Sequence, residues 1–144
     1  MRSLNQIVKQ LSDLQASSVQ IGGGSFYFGD PWEFGAANKI TYPFVGCRLI
    51  GSTINGKMFD TSLNLFFCDL VHKDETNETE VLSDMTRAAT RYYSNLKTNL
   101  ELLYPATVNT TSSFTPFTER FDDEVSGVEV NIVIQQFFDN STCA

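Results

Sequence analysis

The chain has 144 residues, which suits one domain spanning residues 1–144 with a core of its own. Its net charge of −7 argues against a grip on nucleic acid, which needs clustered Lys and Arg, and no run is long and apolar enough for a transmembrane helix. The cysteines Cys47, Cys68 and Cys143 are odd in number and badly spaced for a disulfide framework or a metal site, so reduced, buried thiols are expected at Cys47 and Cys68.

The opening residues, MRSLNQIVKQLSDLQ, hold no uninterrupted apolar stretch and do not read as a secretory signal. Leu4, Ile7, Val8, Leu11 and Leu14 recur at helical spacing, and Ser3 with Gln6 has capping-box form. An amphipathic helix over residues 3 to about 16, lying on a sheet face, follows. Residues 19–28 read as a strand interrupted by Gly22-Gly23-Gly24, a joint or bulge. A phosphate-binding loop would need a helix after the glycines together with Lys and Ser or Thr, and SFYFGDPWEF is not helical. Residues 29–42 are irregular but carry Trp32 and Phe34. Two readings are open: these aromatics cap the core, or they anchor a contact with another subunit.

Residues 43–71 are the organising stretch. Two runs rich in β-branched and aromatic residues flank Asn55-Gly56, a dipeptide that tolerates positive φ, so a long β-hairpin is predicted. With Asn55 and Gly56 as the loop, Ile54 faces Lys57, Ser52 meets Phe59, Cys47 meets Asn64, Val45 meets Phe66 and Phe44 meets Phe67. Large apolar groups on both faces near the base call for cover on both sides, whereas the polar tip projects toward solvent or a partner.

Residues 77 to about 104 form the main helix. Asn77 with Glu80 has cap form, acidic residues load its start, and Pro105 ends it. Leu82, Met85, Ala89, Tyr92, Leu96, Leu100 and Leu103 form its apolar stripe. Residues 107–121 read as a strand bent at Pro116, followed by the acidic turn Asp122-Asp123-Glu124-Val125-Ser126-Gly127. Residues 128–138 alternate, with Val128, Val130, Ile132 and Ile134 on the buried face and Glu129, Asn131 and Gln135 opposite. The expected class is therefore α+β: a mainly antiparallel sheet with a long hairpin, packed against one N-terminal helix and one long central helix.

No catalytic motif is present. His72 is the only histidine, and Cys68, four residues earlier on the same strand, is too far from it for a hydrogen bond. The sequence offers no catalytic, cofactor-binding or metal-ligating set, and an enzyme is not expected. Arg87 and Arg91, four apart on the main helix, face solvent or a neighbour.

The order of elements resembles the tail-terminator and tail-completion fold of tailed bacteriophages, shared by head–tail connector ring proteins including those of crAss-like phages. The stretches TPFTERFDDEVSGVEVNIVIQQFFDNSTC and VLSDMTRAATRYYSNL carry the likeness. The resemblance implies a structural virion protein without cofactor or membrane, forming a homo-oligomeric ring of about twelve or about six copies in the neck or at the tail end. It implies portal, adjacent connector or tail proteins as partners, with DNA passing through and not specifically bound. Subunit contacts are then expected at Trp32, Phe34, Ile54, Asn55, Gly56, Lys57 and Met58. The acidic residues Asp74, Glu75, Glu78, Asp122, Asp123 and Glu124 are candidates for a DNA-facing rim, with solubility as the other meaning of their charge. A monomeric binding or adaptor domain and a small enzyme with a non-obvious site are the alternatives.

Overall fold

The computed structural model describes residues 3–18, 22–29, 42–70, 78–103, 106–108, 113–118 and 125–137. Trp32, Phe34, His72, Asp74, Glu75, Asn77, Asp122, Asp123, Glu124 and Cys143 lie outside them. In chain order the elements are α1 (Leu4–Ser17), β1 (Phe26–Phe28), β2 (Phe44–Asn55), β3 (Met58–Leu70), α2 (Glu78–Leu103), β4 (Ala106–Val108), β5 (Phe114–Thr118) and β6 (Val125–Phe137). The class is α+β. The sheet has six strands in the order β1-β2-β3-β6-β4, with β5 also along the outer edge of β6. Every pairing is antiparallel except β1 with β2.

Strand alternation sorts the sheet into two unequal faces. Val45, Cys47, Leu63, Leu65, Phe67, Val128, Val130, Ile132 and Ile134 point to the face covered by both helices. From α1 come Ile7, Leu11 and Leu14, and from α2 come Val81, Met85, Ala88, Ala89, Tyr92 and Leu96. Tyr92 ties the layers together: its ring meets Phe67 edge-on at 5.2 Å, and its hydroxyl donates to the Leu11 carbonyl at 2.8 Å. The opposite face buries a smaller cluster of Phe44, Phe66, Cys68 and Phe117 near the hairpin base. The base is thus apolar on both faces, as its sequence demands.

The capping box of α1 is present in both directions, with Ser3 N donating to Gln6 Oε1 at 2.8 Å and Gln6 N to Ser3 Oγ at 3.3 Å. The buried stripe of α2 begins at Val81, and Leu82 is only half-buried. The stripe advances through 85, 88, 89, 92 and 96, which puts 81 on its axis and 82 on its flank. The side chains of Leu100 and Leu103 lie outside the described residues.

Four expectations change. The last strand begins at Val125, inside the turn expected over residues 122–127, because Val125, Ser126 and Gly127 pair with Leu70, Asp69 and Cys68 of β3. Of the strand expected over residues 19–28, Phe26–Phe28 is strand and residues 22–25 are a turn, while residues 19–21 lie outside the described residues. Gly22 serves close packing, since a Cβ there would stand 2.3 Å from the Ser18 carbonyl oxygen, whereas Gly23 has open space around it; Gly24 O accepts from Gln15 Nε2 at 3.1 Å. The single strand bent at Pro116 is two strands, β4 and β5, laid end to end along β6. Pro116 sits within β5, an edge strand where a missing N–H costs no ladder bond.

The hairpin register differs most. Gly56, at φ 64°, takes the first loop position, so Asn55 pairs with Met58 and the loop is Gly56-Lys57. Ile54 therefore opposes Phe59, and Ser52 opposes Thr61. A bulge at Ile50, between Leu49 and Gly51, then shifts the base by one residue. Phe44 lies opposite Cys68, Val45 opposite Phe67 and Cys47 opposite Leu65. One extra residue in β2 lets the base follow the burial pattern while the tip follows the turn.

Candidate interaction surface at the hairpin tip

The long strands carry the hairpin beyond the cover that buries its base. β2 changes from buried at residues 44–47 to largely exposed from Leu49 to Asn55. Only residues 45–47 of β2 pair with β1, so among the described residues its outer edge from Arg48 onward has no strand beside it. An unpaired edge offers backbone N–H and C=O groups to a partner.

The tip is not purely polar. Leu49, Ile50 and Ile54 are 38, 49 and 56% exposed, and Phe137 at the end of β6 is 63% exposed. Met58 stands between Asn55 on β2 and Phe137 on β6, on the face away from the helices. Ile54 stands on the helix side, in the same row as Phe59 and Gln136. Aliphatic groups thus flank the turn on both faces. Of the residues expected at contacts, Ile54, Asn55, Gly56, Lys57 and Met58 come together at one tip, the first four exposed and Met58 half-buried. Trp32 and Phe34 lie outside the described residues. Leu49, Ile50 and Phe137 were missed: the exposure of Ile50 comes with the bulge in β2, and placing Phe137 beside Met58 required the β3–β6 register.

Between tip and base, the face away from the helices carries a polar row. Asn131 Nδ2 donates to Asn64 Oδ1 at 2.9 Å, and Asn64 Nδ2 donates to Glu129 Oε1 at 3.1 Å. Nearer the tip, Asp60 Oδ1 is buried without a hydrogen-bond partner among the described residues. A buried acceptor left open costs free energy, and a donor from a neighbour would recover it.

The rest of the described surface offers little chemistry. A recess of about 310 Å³ is lined by Pro43, Asp69, Asp84, Met85 and Arg87. Among the described residues no three His, Cys, Asp or Glu side chains gather where a metal would sit. Cys47 and Cys68 are free and buried, and they point to opposite faces of the sheet. Desolvation pushes the Cys47 thiol up to about 12. Burial, then the neighbouring charge of Asp69, raises Cys68 as well. Thiols held protonated are poor nucleophiles. Among the described residues no helix is long and apolar enough to cross a membrane. No protein-family model matches the chain, and no curated protein matches it.

Proposed function

We propose that this protein is a structural component of a tailed-phage virion, forming a ring in the head–tail connector or at the tail end and surrounding the DNA path. The observation that carries the reading is the hairpin tip. A strand pair of 12 and 13 residues is buried on both faces at its base, yet ends in a bare, partly aliphatic point with an open edge. A subunit that must reach its neighbours has a use for such an arm, and one that works alone meets only its aggregation hazard. The α+β architecture that the resemblance implies supports the same reading. Ring closure would join one surface of each subunit to a different surface of the next.

DNA passes through such a ring without being held. A ring of about twelve copies would carry roughly −84 from the −7 of each chain, a field that repels a polyanion at low ionic strength. The ring reading is tested by producing phage without this protein. Heads and tails that fail to join, or tails that lack a proper end, are expected; intact infectious particles would overturn it. The passage model is tested by a mobility-shift titration with duplex DNA at low salt, in which micromolar binding would refute it.

A further inference from the structure

The outward face of α2 carries a charge pattern that its own chain does not use. Glu80, Asp84, Arg87 and Arg91 are all exposed. At 3.6 residues per turn they fall within about 60° of arc, on the flank of the helix about 120° from the axis of the buried stripe. The signs are sorted, not interleaved. The spacing of four joins acid to acid (Glu80, Asp84) and base to base (Arg87, Arg91), and like charges at that spacing disfavour a helix. The helix dipole accounts for acids in the first turns, but not for two arginines in the middle of a 26-residue helix. None of the four forms an ion pair with a described residue. Asp69 borders the same recess as Asp84 and Arg87, outside ion-pair distance of the arginine.

The pattern is complementary to itself. Reversed end for end, the order acid, acid, base, base becomes base, base, acid, acid at the same spacings. We infer that two copies of this chain pack α2 against α2 in antiparallel fashion about a two-fold axis. Glu80 then faces Arg91 of the second copy and Asp84 faces its Arg87, with each pair repeated by the symmetry. The groups beside the charges, on the side of the helix away from the core, suit close approach. Ser83 is small, and the Thr86 and Thr90 hydroxyls already donate to the Leu82 and Thr86 carbonyls at 2.7 and 2.8 Å, so covering them strands no donor. Duplex DNA is a poorer occupant, because Glu80 and Asp84 would repel the phosphates that the arginines attract. The contact is independent of the ring reading: a two-fold pair closes on itself, whereas a ring needs a head-to-tail contact elsewhere.

The test is sedimentation equilibrium on the full chain and two charge-reversed variants, one R87E/R91E and one E80K/D84K. Circular dichroism confirms that each keeps its helix, which is expected because all four side chains are exposed. The native chain should dimerise reversibly and dissociate as salt approaches about 1 M, where charges are screened within about 3 Å. Each variant alone should dimerise about tenfold more weakly or worse. Mixed in equal amounts the two should form a heterodimer, since every cross pair is then opposite in sign. A monomeric native chain, a dimer unmoved by either variant, or a mixture that stays monomeric would overturn the inference. Duplex binding that R87E/R91E abolishes, without dimerisation, would reassign the face to nucleic acid.

Discussion

At Gly127 the backbones of β6 and β3 approach so closely that a Cβ would stand 1.9 Å from the Phe67 carbonyl oxygen and 2.7 Å from Cys68 Cα. Neither neighbour can move without breaking the ladder. Gly127→Ala is expected to cost at least about 1–3 kcal/mol of stability, whereas Gly23→Ala, with nothing within 4 Å of its Cβ, should cost far less. Denaturant titration of the two variants separates close approach from backbone freedom. Cys47 makes a second residue-level expectation. Its thiol rises from 9.0 unfolded to about 12 folded, so above pH 9 the unfolded chain releases its proton first. Stability should therefore be full below about pH 9 and fall as pH rises toward 12, with Cys68 and Tyr92 adding in the same direction through burial. A flat stability profile across that range, or rapid labelling of the native thiols near neutral pH, would contradict it. Residue identity in the sequence announced the burial of Cys47 and Cys68. It could not announce Gly127, because the conflict is with a carbonyl sixty residues away in the chain.

At the scale of elements, periodicity carried most of what could be read. The capping box of Ser3 and Gln6, the stripe through Met85, Ala89, Tyr92 and Leu96, and the alternation along β6 are local signals; the helices formed where theirs lay, whereas β6 begins at Val125, three residues before its alternation starts. The hairpin was legible in its existence but not in its pairing. Asn55-Gly56 specifies a tight turn without saying which residue enters the loop first, and the bulge at Ile50 has no local signature. The split of residues 107–121 into β4 and β5 was hidden for a related reason: both strands take their place from β6, which is non-local. Leu96 is 1% exposed beneath the sheet, so Leu96→Ala should cost about 2–5 kcal/mol, and Leu82→Ala, on the flank, clearly less. Equal costs at the two positions, read from denaturation midpoints, would mean that the stripe has been misplaced. At the tip the prediction is reversed. Ile54→Asp removes an aliphatic group that is 56% exposed, so the midpoint should hold within about 0.5 kcal/mol while assembly onto particles fails. Normal incorporation of that variant would remove the tip from the contacts.

For the whole molecule, the sheet is held by helices on one face and by a small aromatic cluster at the base of the other, which leaves the hairpin free at its far end. Under the proposed ring reading, stability and assembly should respond to different substitutions: the base and the helix stripe would set the first, the tip the second. Class and architecture were legible because burial dictates them. The proposed contact surface was legible only in part, since the residues around Ile54 and Lys57 are contiguous in sequence whereas Phe137 reaches them through strand pairing. The most direct measurement is an electron cryomicroscopy map of the neck and tail end of particles that carry this protein. The account predicts a closed ring of this chain around the DNA path, with the tip from Leu49 to Met58 seated against an adjacent subunit or ring. Particles whose rings lack the chain, or a ring in which those tips touch nothing, would contradict it.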